Sequence, residues 1–212
     1  FQQISYKEAR RLGATHRALA RKLEADLTKL AIRIEQETGV KLHGLKYRLK
    51  GAGSTTDKII KENLDNRWGP NSIARENLAD LNRYTYLLDP EDYVNQYNSI
   101  IQMYADEGYD VISVRNKWEG DLYKGLNVNL RAPNGRIVEM QFNTQSSQMI
   151  KDKYSHAWYE EWRNPNTSAA QKDYLEGLLQ EKWNLVNPPN GYNQIQSWNG
   201  WDEFPDGWNP FG

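Results

Sequence analysis

Apolar residues recur at helical spacing along the first part of the chain, at Leu19, Leu23, Leu27, Leu30 and Ile34, which predicts a long amphipathic helix. Ser5-Tyr6-Lys7-Glu8 reads as the capping box that opens it, and Gly39 as the glycine that ends it. Gly13 is expected to divide the run into a short helix and a long one. Residues 40–50 then alternate, with Leu45, Tyr47 and Leu49 on one side, and predict a strand. Ser54 to Asp57 repeats the capping pattern ahead of Ile59, Ile60 and Leu64, the apolar stripe of a second helix. Residues 80–88, rich in Tyr, Thr and Leu, predict a second strand. Asp89-Pro90-Glu91-Asp92 opens a helix that Gly108 closes, and residues 109–114 predict a third strand.

Asn134-Gly135 then stands between two alternating runs, the strongest short-range signal of a hairpin. Its second strand sets Glu139, Gln141 and Asn143 on one face and Val138, Met140 and Phe142 on the other. A carboxylate and two amides therefore share one sheet face, either solvated or engaged in chemistry. Helices are expected over about 146–163 and 168–185. The order predicts an α+β fold, a mixed sheet of about five strands with helices packed around it. The chain divides into an N-terminal helical segment, 1–39, a core with C-terminal helices, 40–187, and an irregular tail, 188–212. Trp198, Trp201 and Trp208 fall in that tail, where aromatic anchors are expected to pin an irregular segment.

Composition narrows the chemistry. Lys plus Arg number 27 against 28 for Asp plus Glu, which argues against gripping long nucleic acid by bulk charge. The absence of cysteine removes disulfides, thiolate catalysis and Cys-based zinc sites together. No apolar run approaches the roughly 18 residues of a membrane helix, so no membrane partner is expected. No secretory leader is read at Phe1 to Tyr6, and the missing initiator Met suggests a domain taken from a longer chain. His16, His43 and His156 have no spacing suited to zinc, and no Gly-x-Ser-x-Gly elbow is present.

Three polar constellations remain. Arg48 and Lys50 precede Gly51-Ala52-Gly53-Ser54 and a helix carrying Lys58. Glycines leading into a helix N-terminus can cradle an anion, although the Walker order is missing and a solvated basic loop fits equally well. Asp80-Leu81-Asn82-Arg83 opens a strand, where an Asp either caps or holds a divalent cation. Glu139 with Gln141 sits on a central strand, where an unpaired charge is costly. A buried carboxylate needs a cation, and Mg²⁺ takes one or two carboxylates with substrate phosphates, which makes Asp80 and Glu139 the natural pair.

Together these stretches resemble the synthetase domain of the RelA/SpoT family over roughly residues 40–163. The family's Arg-x-Lys run, with a Ser and a Lys beyond it, is similar to Arg48, Lys50, Ser54 and Lys58. Its metal Asp and following Arg look like Asp80 and Arg83. Its Tyr-x-Ser-x-His acceptor loop looks like Tyr123-Lys124-Gly125-Leu126-Asn127, and its Glu-x-Gln-x-x-Thr strand is matched by Glu139, Gln141 and Thr144. A following helix with His and Tyr resembles His156 and Tyr159. Asn127 replaces the loop His, Asn143 replaces the strand Arg, and the Gly before the Asp-motif Arg is absent. These departures touch acceptor recognition and put guanine specificity in doubt.

The resemblance implies a Mg²⁺-dependent transfer of the β,γ-diphosphate of ATP to the 3′-hydroxyl of a purine nucleotide. Arg48, Lys50, Ser54, Lys58 and Arg83 would bind ATP, and Asp80 and Glu139 would hold Mg²⁺. Tyr123, Lys124, Asn127, Gln141, Asn143 and His156 would bind the acceptor. A synthetase without a hydrolase is similar to the family's toxin branch, which favours an adenosine nucleotide acceptor and a (p)ppApp product. It also implies delivery into a target-cell cytoplasm and an immunity protein as partner. A (p)ppGpp synthetase, a tRNA 3′-end pyrophosphokinase (less favoured on charge, needing basic surface from Lys117, Lys124 and Arg131) and a non-catalytic nucleotide-binding module are the alternatives.

Overall fold

The computed structural model describes residues 3–66 and 78–200. Its centre is a six-stranded sheet built from β1 (Lys41–His43), β2 (Arg83–Leu87), β3 (Asp110–Asn116), β4 (Leu126–Arg131), β5 (Ile137–Asn143) and β6 (Trp198–Asn199). The spatial order is β1-β2-β5-β4-β3-β6. Only β2 and β5 run parallel; the remaining pairs are antiparallel. The α+β class and the mixed sheet agree with the sequence reading. The additional strand is β6, through which the tail joins the sheet edge beside β3.

One face of the sheet is apolar. Register aligns Tyr84 with Met140, Val128 and Val114, and Tyr86 with Phe142 and Leu126. Into the same cluster α1 (Tyr6–Thr38) packs through Leu23, Leu27, Ala31 and Ile34, and α3 (Tyr93–Asp106) through Tyr97, Ile100 and Tyr104. Phe142 stacks on Tyr86 and receives the edge of Tyr97. The tyrosine hydroxyls buried here find partners, as buried polar groups must. Tyr86 donates to the Ala31 carbonyl at 3.2 Å and Tyr93 to the Phe142 carbonyl at 2.6 Å. The indole of Trp118 donates in turn to the Tyr93 hydroxyl.

The first half of α1 has a different neighbour, α2 (Ala52–Asn66). Ala9, Ala20, Ile59, Leu78 and Leu81 form a second cluster there. Gly13 does not break α1. It lies where an added Cβ would meet Thr55 Cγ2 at 3.2 Å, so the glycine serves close approach of α2 and the helix runs on past it. Gly39, in the left-handed region at φ 72°, ends α1 as expected.

Other boundaries also moved. Residues 40–50 form only the short β1, then a tight 3₁₀ turn, Leu45–Tyr47, and a bridge from Leu49 to Asn82. Gly44 in the left-handed region turns the chain out of the strand, which leaves Tyr47 exposed. Asp80 lies in a 3₁₀ turn, Ala79–Leu81, rather than in the strand that begins at Arg83. α2 starts at Ala52, ahead of Ser54. The third strand extends to Asn116. The helix expected over 146–163 is α4 (Gln145–Ile150), a π turn, Lys151–Ser155, and α5 (His156–Trp162); α6 (Ala169–Trp183) follows. The tail is pinned by Asn116, whose amide donates to the carbonyls of Tyr192 and Ile195. Trp201 and Trp208 lie outside the described residues.

His16 is buried in α1, and burial together with the nearby Arg136 charge pushes its imidazole down to about 4. Its folded pKa is therefore below the unfolded value near 6.5, so the fold prefers the neutral ring. Stability present above pH ~6.5 should fall by about 3 kcal/mol as the pH drops toward ~4. Denaturant titrations across this window should show that loss, and His16→Gln should flatten it.

Candidate active site

The other face of the sheet is polar across its whole width. Register sets Arg83, Glu139, Asn129 and Ser113 in one row, and His43, Thr85, Gln141, Asn127 and Arg115 in the next. The alternation read in β5 is thus correct, but both faces of β5 are buried, so the polar row is not a solvated surface. A hairpin alone leaves its outer face open; the turn before β2, the loop before β4 and the helices after β5 cover this one.

The row through Glu139 is ionic. Arg83 Nε donates to Glu139 Oε2 at 2.6 Å, and a terminal nitrogen of Arg115 donates to Oε1 at 3.0 Å. The same Arg83 guanidinium reaches Asp80 Oδ2 at 3.4 Å. Lys58 donates to Asp80 Oδ1 at 2.9 Å and Lys50 to Oδ2 at 3.1 Å. Arg83 therefore bridges the two carboxylates, and four cations surround them.

Layering decides what this cluster can do. The carboxylates are the inner groups, 9% and 3% exposed, while Arg83 and Arg115 keep 37% and 50% of their side-chain surfaces open. Burial opposes ionisation of Asp80, but the charges of Lys58, Arg83 and Lys50 outweigh it and hold the carboxyl below its usual range. Glu139 is treated the same way: burial and the nearby Asp80 charge raise it, Arg83 and Arg115 lower it, and the guanidinium grip wins. Both acids stay ionised, and the outer layer is positive. An anion with several charged oxygens complements such a surface, because charge-assisted hydrogen bonds to guanidinium and ammonium are the strong ones. The carboxylate oxygens are hard donors, yet each accepts from a cation, and among the described residues no group of three acidic or histidine side chains could hold a metal ion.

The row through Gln141 carries the amides of Gln141 and Asn127 at its centre, with Asn143 beyond it. The Tyr123 hydroxyl lies 2.9 Å from Asn143 Oδ1 and 3.1 Å from Asn127 Oδ1, sharing its proton between them. Asn143 Nδ2 donates to Gln148 Oε1 of α4 at 2.8 Å. Gln141 Oε1 accepts from Lys151 at 2.8 Å and from Thr85 at 3.3 Å. Gly125 makes room for this packing: an added Cβ would sit 2.3 Å from both Asn143 Oδ1 and the Tyr123 hydroxyl. Trp183 of α6 presses edge-on against the Tyr123 ring. Burial, then the Glu139 charge, raises the Tyr123 phenol far above its usual range, so it acts as a neutral donor.

Of the residues singled out in the sequence, Lys50, Lys58, Asp80, Arg83 and Glu139 meet in one cluster, and Tyr123, Asn127, Gln141 and Asn143 in its neighbour. Others lie elsewhere. Arg48 is paired with Glu24 of α1 and donates to the Leu45 carbonyl at 2.9 Å. Ser54 is exposed in the first turn of α2. Lys124 is tied to the Val186 carbonyl at 2.9 Å and Arg131 pairs with Asp110 at 2.7 Å, while Lys117, the third of the basic set, is exposed. His156 is exposed at the start of α5, and Tyr159 stacks on Trp162.

Three members of the site were missed: Arg115, Lys151 and Gln148. Arg115 was legible in principle, since β3 continued for two more residues places it on the polar face. Lys151 depends on a π turn, whose extra residue resets helical spacing and cannot be read from a 3.6-residue period.

No protein-family model matches the chain, and no curated protein does. Solved structures do. Small alarmone synthetase 1 from Bacillus subtilis, bound to its product pppGpp, is similar with a TM-score of 0.54 and 14% identity, over 81% of this chain and 86% of that chain. Small alarmone synthetase 2 from Bacillus subtilis is similar with a TM-score of 0.52 and 16% identity, over 79% of this chain and 88% of that chain. The type VI effector Tas1, in complex with its immunity protein, aligns at 20% identity over 79% of this chain and 92% of that chain, with a TM-score of 0.49.

Replacing Asp80 by Asn leaves Lys50, Lys58 and Arg83 facing one another without their shared counter-ion. The partners are partly exposed, so we expect a loss of about 2–3 kcal/mol, below the usual cost of breaking a fully buried pair. Denaturant unfolding should show it, and inorganic pyrophosphate should restore more stability to Asp80→Asn than it adds to the wild type.

Proposed function

We propose that this chain, which has the α+β fold of RelA/SpoT-type synthetase domains, is a nucleotide 3′-pyrophosphokinase. It moves the β,γ-diphosphate of ATP onto the 3′-hydroxyl of an adenosine nucleotide. The observation that carries this reading is the pair of buried, ionised carboxylates, Asp80 and Glu139, bridged by Arg83 beneath an open layer of cations. Lys50, Lys58, Arg83 and Arg115 would take the donor phosphates.

In the reaction the 3′-oxygen attacks the β-phosphorus, the bond from that phosphorus to the α,β-bridging oxygen breaks, and AMP leaves with that oxygen. Such transfers pass through loose transition states, so positioning and charge neutralisation supply most of the rate. The four cations do the latter. Glu139 receives the hydroxyl proton and orients the nucleophile. The guanidinium grip weakens it as a base, and a loose transition state asks little of one. Asp80 and Glu139 would hold Mg²⁺ that arrives with the triphosphate, since two carboxylates complete its shell only with substrate oxygens and water. Bound there, Mg²⁺ would supply further charge neutralisation at the phosphates.

For the acceptor, Tyr123 would meet the base, and the carboxamides of Gln141 and Asn127 suit the N6 and N7 edge of adenine. An enzyme that takes adenosine nucleotides at both positions would drain the ATP pool of any cell containing it. That consequence supports the proposed role as a toxin acting in a target cell, with a blocking immunity protein in its producer. A guanine nucleotide acceptor remains the second reading, and the ligation of Lys124 and Arg131 within the protein weighs against an RNA acceptor.

Purified protein incubated with γ-³²P-ATP and Mg²⁺ should yield a new labelled adenosine nucleotide when ADP is the only acceptor added. Glu139→Gln should lose transfer by about 10²–10⁴-fold while keeping its far-UV spectrum. Label appearing only with GDP or GTP would replace the adenosine reading, and transfer undiminished in Glu139→Gln would remove Glu139 from the mechanism.

A further inference from the structure

We propose that Lys151 is the residue that binds the 5′-phosphate of the acceptor nucleotide and so sets the preference for nucleotide over nucleoside. This rests on the reading of the amide row as the acceptor subsite.

Lys151 is a partly buried ammonium with an unusual partner. Among the described residues its ammonium donates to one neutral amide oxygen, Gln141 Oε1, at 2.8 Å. No carboxylate of the described residues lies within ion-pair distance of it. Glu139, the acid on the same strand face, is taken by Arg83 and Arg115. Asp152, next along the chain, is engaged by His43 at 2.8 Å and by Gln148 Nε2 at 2.9 Å. A cation drawn out of water without a counter-ion costs stability unless something else compensates it. An incoming anion would.

Position narrows the anion to a nucleotide phosphate. Gln141 follows Glu139 by two residues on β5, about 7 Å along the strand. That interval suits a ribose, with its 3′-oxygen at Glu139 and its 5′-phosphate at Lys151. The ammonium also lies 5.7 Å from the centroid of the Tyr123 ring, so it occupies the space over the ring that a base would use. A nucleotide offers it an exchange: the base takes the ring, and the ammonium turns to the phosphate. The π turn that carries Lys151 belongs to a class of helix irregularity that gathers at functional sites.

Electrostatics agree with the geometry. Burial, then the Arg83 charge, pulls the Lys151 ammonium down to about 8, against the opposing charges of Glu139 and Asp152. The neutral Tyr123 phenol adds no charge to that balance.

The test separates binding from turnover. With α,β-methylene-ATP and Mg²⁺ filling the donor position, adenosine and ADP are titrated calorimetrically into wild type, Lys151→Met and Lys151→Arg. The wild type should bind ADP at least ~10-fold more tightly than adenosine, a difference of about 1.4 kcal/mol. Lys151→Met should lose that difference while keeping its adenosine affinity, and Lys151→Arg should keep most of it. In the transfer assay Lys151→Met should raise KM for ADP with little change in kcat. Equal ADP preference in wild type and Lys151→Met would overturn the assignment, as would a wild type that does not distinguish ADP from adenosine. Phosphate-dependent binding with no transfer from unmodified ATP would instead retain Lys151 and sink the pyrophosphokinase reading. A thermal melt of Lys151→Met guards against misfolding; should that variant not fold, Lys151→Gln, which is neutral and can still donate to Gln141, carries the test by the same loss of ADP preference.

Discussion

Parallel pairing of β2 with β5 is the constraint on which the site depends. It sets Arg83 directly opposite Glu139, and the turn just before β2 brings Asp80 within reach of the same guanidinium. Two acids buried this closely would repel each other and could not both ionise without cations. Arg83 solves that problem from between them, and Lys50, Lys58 and Arg115 complete the neutralisation from three other segments of the chain. Because the acids lie inside and the cations outside, the centre is held together by its own charges and presents a positive surface to solvent. The arrangement is stable as a set and costly to break at any one member, which makes it rigid before a substrate arrives.

The rest of the fold keeps that set in place. The apolar face of the sheet is filled by aromatic side chains whose hydroxyls are tied to backbone carbonyls, so β2 and β5 cannot slide relative to α1 and α3. A slip of one residue would move Glu139 into that core. Next to the ionic row lie the neutral carboxamides of Asn127, Gln141 and Asn143 with the Lys151 ammonium beside them, and Gly125 lets Tyr123 pack against Asn143. One sheet face thus offers two environments side by side: a charged one suited to polyphosphate and a polar, neutral one suited to a base and ribose. The proposed transfer between two nucleotides fits such a division, with the acceptor hydroxyl held at the boundary.

Much of this was legible in the sequence because it depends on local pattern. Asn134-Gly135 and the alternation from Val138 to Asn143 fixed the hairpin and which residues share a face. The capping box at Ser5 and the glycine at Gly39 marked the ends of α1. What was missed depended on chain turns and on contacts distant in sequence. Gly44 turns β1 into a 3₁₀ segment and sends Arg48 toward Glu24, a partner that no local spacing reveals. Gly13 looked like a break and is instead a point of contact with α2. Lys151 reaches the site through a π turn that shifts the helical face. Arg115 was lost by ending β3 too early, although the same alternation rule would have placed it.

The cation layer over Asp80 and Glu139 is proposed as the seat for the triphosphate of a nucleotide. The most direct measurement is a crystal structure with α,β-methylene-ATP and Mg²⁺. It should place β- and γ-phosphate oxygens within hydrogen-bond distance of Lys50, Lys58, Arg83 and Arg115, with Arg83 drawn away from at least one carboxylate. A triphosphate seated elsewhere, with the Arg83 bridge intact, would contradict the proposal.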